Sequence, residues 1–212
     1  MAKIILVVLF LFVALYMARQ HLGVELPVNA PQISLPKINL NAPQKTSFKK
    51  PDFIGKPMDL TAENLTTLYT DIPCVDGPEY LEWQIELLEK YHHDRYIEKG
   101  TVTTILGNQS STNKYNSTKT QLINDYKKVL DQGATCHSQD IEITNIEIEK
   151  DRPIAHVKAR SQVSLKLPAA SEGARMYTNL LADCTTTFIQ GETHPIATKQ
   201  ECVATDQVTF GQ

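Results

Sequence analysis

The densest set of side chains able to do chemistry is Tyr91-His92-His93-Asp94-Arg95-Tyr96. Imidazoles hold metals and move protons. Two adjacent histidines on a helix, however, point about 100° apart and cannot share an ion as an i, i+4 pair does. The pattern predicts a solvated helix end. His137, His156 and His194 fall near predicted strand ends or on a polar face. No serine or cysteine sits in a nucleophile elbow, and no glycine-rich loop follows a predicted strand. No catalytic residue, cofactor-binding residue or metal ligand is assigned, and the expectation is a protein that is not an enzyme and carries no cofactor.

The cysteines are Cys74, Cys136, Cys184 and Cys202. Their spacings of 62, 48 and 18 match no CxxC metal or redox pattern. An even number beyond an export signal reads as disulfides. Cys74 precedes the first of two predicted packed helices and Cys136 follows the second, so they meet if those helices are antiparallel. Cys184 and Cys202 are equidistant from a turn near residue 193 and face each other across a hairpin.

A third chemical feature is a basic row, Lys158, Arg160 and Lys166, on the polar face of a predicted strand. It is a possible interaction face for an anion or an acidic partner, set against the plainer reading of a solvated sheet surface.

The elements that must position these residues begin with a membrane signal. After Lys3 comes an apolar run, Ile4 to Ala18, closed by Arg19. Cutting after Ala18 or Ala14 would place Tyr16 or Phe12 at −3, where a small residue is needed. The run therefore predicts an uncleaved transmembrane signal anchor over 1–19. At ~1.5 Å per residue it spans roughly 22 Å of a ~30 Å hydrocarbon core, with Lys3 and Arg19 snorkelling to the interfaces.

Residues 20–57 hold six of the eleven prolines and predict an extended basic linker. Arg19 to Pro57 carries +4, Lys3 adds +1, and the rest of a chain of net charge −3 therefore carries −8. An acidic domain argues against a nucleic-acid partner. The partners expected are the membrane, through residues 4–18, and an envelope protein or a wall polymer.

Residues 58–212 predict one soluble α+β domain. Thr61 caps a short helix to Tyr69. A second helix follows Pro78 to about Glu98, with Leu81, Ile85, Leu88, Trp83, Leu87 and Tyr91 on its apolar stripe. Thr101 to Leu106 reads as a possible short strand. Gly107 to Thr118 reads as a polar loop, and Ser117 to Gln132 as a helix capped by Ser117. Past Cys136 the period becomes 2. Ala155 to Leu167 alternates strictly, the parity of Ile141/Ile143 against Ile146/Ile148 requires a bulge near Thr144-Asn145, and strands follow over Met176–Gln190 and Ile196–Val208. Helices packed on a four-stranded antiparallel sheet result. This element order resembles the NTF2-like and cystatin-like rolls. No residue motif carries the likeness, so it implies no site residues.

The leading functional expectation is a membrane-anchored envelope protein whose exported domain binds or scaffolds another protein or a cell-wall component. One alternative is a small-ligand-binding protein or enzyme with a pocket between helices and sheet. The strands offer few inward polar groups for that, Asp183 and Ser161, with Tyr91 or Tyr126 from the helices. Another alternative is a subunit of a secretion or pilus-like assembly. The amine and Lys3 place the N-terminus in the cytoplasm and the domain in the periplasm or outside. A disulfide-dependent reporter fused after Gln212 should therefore be active, and a reporter that works only in the cytoplasm should be silent there; the reverse result removes the envelope location.

Overall fold

The computed structural model describes residues 48–168 and 175–211. The predicted anchor and most of the linker lie outside these residues. Among the described residues no helix is long and apolar enough to cross a membrane.

Three helices, α1 (Ala62–Thr70), α2 (Glu79–Tyr91) and α3 (Lys119–Asp131), cover one face of a single sheet. Its strands are β1 (His92–Leu106), β2 (Gln109–Thr118), β3 (Thr135–Ile148), β4 (Ile154–Pro168), β5 (Arg175–Gln190) and β6 (Pro195–Gly211). Their order across the sheet is β2-β1-β6-β5-β4-β3. The α+β roll agrees with the alternation in the sequence. The strand count does not: six strands replace the expected four, and β1 runs parallel to β6.

Of the two extra strands, β1 extends the short strand expected at Thr101 to Leu106 back into residues read as helix, and β2 comes from residues read as a loop. The second helix stops at Tyr91, not at Glu98, because the burial period changes there. Tyr96 and Glu98 are buried while Ile97 and Lys99 are exposed, the two-residue alternation of a strand. The β-branched run Thr101-Val102-Thr103-Thr104-Ile105 then favours continuing it. The expected polar loop is β2. Gly107, with φ of 59°, allows a two-residue turn between the paired Leu106 and Gln109. As an edge strand β2 buries little besides Ser117, so its polar sequence carries no packing signal.

Other local features follow the side chains. Thr61 accepts from Asn64 N at 3.2 Å and caps α1. Thr118, one residue after the expected cap, forms a capping box with Gln121 on α3. The bulge in β3 falls between Ile143 and Asn145. The chain already packs on the helices before Met58: Ile54 is buried, Tyr91 Oη donates to the Phe53 carbonyl at 2.9 Å, and Lys50 meets Glu86 at 2.6 Å.

The core lies between the layers. Leu65, Leu68 and Tyr69 from α1, Tyr80, Trp83, Leu87 and Leu88 from α2, and Leu122, Tyr126 and Val129 from α3 meet Val157, Val163, Leu165, Leu180 and Phe188 from the sheet. Two disulfides join it. Cys74–Cys136 ties the loop before α2 to the edge strand β3, and Cys184–Cys202 joins β5 to β6 at directly paired positions. Loops of 62 and 18 residues give about 4 and about 3 kcal/mol in the chain-entropy model.

Val163 is fully buried, whereas Arg160 points outward to Asp183 at 3.0 Å. Val163→Asp should lower stability by several kcal/mol, because it strands a charge in the core, and Arg160→Asp by less than about 1 kcal/mol, because an exposed pair contributes little. Denaturant melts of both variants check this. Equal losses would contradict the assignment of faces.

Candidate functional site

The inner face of the sheet carries more polar groups than the sequence suggested. Register aligns Ser117 of β2, Glu98 of β1, Gln200 of β6 and Thr186 of β5 in one buried row, ending on Val157 of β4. The helices close over it. Tyr69 Oη of α1 donates to Thr186 Oγ1 at 2.8 Å. Tyr96 Oη lies 3.0 Å from Gln200 Oε1 and 3.4 Å from Glu98 Oε2.

Glu98 is the centre of this row. It is wholly buried, and no ion pair reaches it among the described residues. Burial pushes its carboxyl up to about 8, against the hydrogen-bonding influence of Tyr115 and Tyr96. Glu98 therefore holds its proton at neutral pH and is a donor as well as an acceptor. Burial also lifts the Tyr96, Tyr115 and Tyr126 hydroxyls above their ordinary range, so all three remain neutral. Glu98 Oε1 and the Tyr126 hydroxyl have no hydrogen-bond partner among the described residues.

The His92–Tyr96 segment is held by a bulge. His92 pairs with Ala197 and Ile97 with Lys199, so β1 carries three extra residues there. His93, Asp94 and Arg95 are exposed on that bulge, while His92 and Tyr96 turn inward. Lys119 Nζ fixes it through the His92 carbonyl at 2.8 Å and Asp94 Oδ1 at 3.2 Å. The expected solvated helix end is thus half wrong, since His92 is buried with its ring 4.5 Å from that of Tyr96. Burial drops His92 to about 3, so the ring is neutral. With Nδ1 donating to the Leu87 carbonyl at 3.3 Å, Nε2 is the bare acceptor.

Gly100 makes the β1–β6 pairing possible. A Cβ there would lie 2.0 Å from the Cys202 carbonyl oxygen and 2.8 Å from the Tyr115 hydroxyl. A second buried carboxylate, Asp206, lies on the same face of β6, accepting a hydrogen bond from Thr178 Oγ1.

The inward groups expected from the sequence divide. Ser161, Tyr91 and Tyr126 are buried, but Asp183 points to solvent, because β5 turns its even positions inward with Cys184. The basic row lies on the outer face of β4, where Arg160 is bound to Asp183 and Lys166 stands 3.6 Å from Asp76. Lys158 is exposed beside them. Among the described residues no cluster of three metal-ligating side chains occurs. Glu98, Gln200 and Asp206 were the residues missed. The signal available for the last two was the parity of Cys202, which shares their face.

No family model and no curated protein matches the sequence. Several solved structures align with part of the chain. An NTF2-like protein of unknown function from Prochlorococcus sp. NATL2A is 10% identical over 72% of this chain and 94% of its own, with a TM-score of 0.44. A ketosteroid isomerase-like protein from Erwinia carotovora atroseptica is 12% identical, covering 59% and 84% of the two chains, with a TM-score of 0.39. A putative SnoaL-like polyketide cyclase from Jannaschia sp. CCS1 is 10% identical over 68% and 85%, with a TM-score of 0.36.

Proposed function

We propose that this chain is a membrane-tethered, exported binding protein whose roll takes a small organic molecule bearing a hydrogen-bond acceptor, such as a carbonyl, at Glu98. One observation carries the reading. Glu98 is wholly buried without an ion pair, with an unserved carboxyl oxygen and the Tyr96, Tyr115 and Tyr126 hydroxyls around it. A buried polar group left unpartnered destabilises by about 1–3 kcal/mol, so a purely structural core gains by replacing it. A protonated carboxyl among phenols is instead suited to donate to a neutral acceptor.

The reading is of a binder, not a catalyst. Proton abstraction needs a base near the operating pH. His92, held at about 3, is too weak a base, and Glu98 keeps its own proton. The disulfides fit an oxidising compartment, which supports export.

Two measurements on the full chain in detergent test this. Cyclohexanone should raise the melting temperature and methylenecyclohexane, which lacks the acceptor, should not. The ketone's affinity should hold at pH 7 and fall as pH passes about 8, where Glu98 ionises; Glu98→Gln, which keeps a donor, should bind with no such dependence. No preference for the ketone, or the same pH profile in both proteins, refutes the site.

Stability without ligand gives a separate prediction. A carboxyl raised from 4.5 to about 8 stabilises the fold fully below 4.5 and loses that stabilisation as pH rises to about 8. Asp206 acts in the same sense but only up to about 6, and His92 acts oppositely below 6.5. Between pH 6.5 and 8 Glu98 acts alone. Denaturant melts of the wild type should therefore lose about 2 kcal/mol across that window, at ~1.4 kcal/mol per unit, and Glu98→Gln should stay flat.

A further inference from the structure

The roll contains a second polar node that the Glu98 site does not use. Six residues along β6 from Gln200, roughly 20 Å at ~3.3 Å per residue, Asp206 is wholly buried. Thr178 Oγ1 donates to its Oδ1, and Oδ2 has no partner among the described residues. Thr104, the register partner of Asp206 on β1, is also buried, and its Oγ1 is likewise unpartnered. Three adjacent strands, β1, β6 and β5, thus bring a carboxylate and two hydroxyls together on the inner face, with Leu180 and Val208 as buried apolar neighbours in register.

We propose that Asp206, Thr104 and Thr178 form a binding site for the ammonium end of a small primary alkylamine.

The chemistry selects that class. Burial moves Asp206 up to about 6, so at pH 7.5 the carboxylate is ionised and its charge needs a counter-charge. An alcohol brings one proton and no charge. A divalent cation needs about six oxygen ligands, and a single carboxylate with two hydroxyls falls short. A primary ammonium brings one positive charge and three donors. Three acceptors stand ready for them: Asp206 Oδ2, Thr104 Oγ1, and Thr178 Oγ1, whose own proton is committed to Asp206 and whose lone pairs remain free. The alkyl chain packs on Leu180 and Val208.

The test titrates the full chain in nonionic detergent at pH 7.5 with n-butylammonium, n-butanol, butyrate and tetramethylammonium, reading heat and melting temperature. Only n-butylammonium should bind saturably. Tetramethylammonium, with equal charge and no N–H, separates hydrogen bonding from bulk attraction. Asp206→Asn should weaken n-butylammonium at least tenfold, and Thr104→Val several-fold. Glu98→Gln should leave it unchanged, so that failure here is distinct from failure of the ketone site. The proposal is overturned if wild type ignores n-butylammonium, if tetramethylammonium binds as well, or if Glu98→Gln abolishes the response. It is also overturned if Thr104→Val binds like wild type, which decides the matter should Asp206→Asn fail to fold.

Discussion

The parallel pairing of β1 with β6 is the contact on which the molecule depends. It joins the residue after the second helix to the last strand of the chain, about a hundred positions later. Without it β2 and β1 form a detached hairpin, and the β3–β6 meander presents an edge where Gln200 and Asp206 now sit. The pairing places Glu98 beside Gln200 and Thr104 beside Asp206, so both polar nodes straddle the same strand pair, with β5 adding Thr186 to one and Thr178 to the other. It is also sterically demanding, since the backbones pass closely enough at Gly100 that any side chain there would strike the Cys202 carbonyl. A parallel pair of this sequence separation closes late and slowly. The Cys184–Cys202 bridge holds β6 against β5 from the other side, fixing the strand that β1 must find.

The polar interior and the disulfides are linked energetically. A domain of this size is stable by only 5–15 kcal/mol. Two buried carboxyls, several unserved hydroxyls and a neutral buried histidine each lower that figure. The two covalent loops raise it by a comparable amount. Such a fold tolerates groups that a core stabilised by packing alone would exclude. The tolerance is concentrated where the small side chains Ala159, Ala182, Ala204 and Gly100 occupy the middle of the sheet between the Glu98 and Asp206 levels.

How much of this was legible follows from which residues carried a period. β4 alternates without fault from Ala155 to Leu167, and its face assignment was readable from sequence. The Cys184–Cys202 pair was readable because a hairpin's symmetry fixes it. β1 was not. Its first residues continue the polar composition of a helix end, and the three-residue bulge breaks the alternation where the strand begins. β2, polar on both faces, has no pattern to read. The site was hidden for the same reason. Glu98 looks like an ordinary helix glutamate until β1 is recognised, and Asp183 was taken inward because no pairing fixed the parity of β5. Cys184 and Cys202, both buried neighbours, were sufficient to fix it.

The two carboxyls on one sheet face differ in a way that composition does not reveal. Glu98 sits among phenols and stays protonated at neutral pH, while Asp206, bonded by Thr178, loses its proton about two units lower. One end of the roll therefore offers a neutral donor and the other a negative acceptor. Burial raises both carboxyls, further for Glu98 than for Asp206, and in each it outweighs the hydrogen bonds that act to lower the value. A molecule with a carbonyl and an amine would see the two ends as unlike. The direction in which it lay along β6 would then be set by proton occupancy rather than by shape, and would be lost above about pH 8, where both carboxyls are charged.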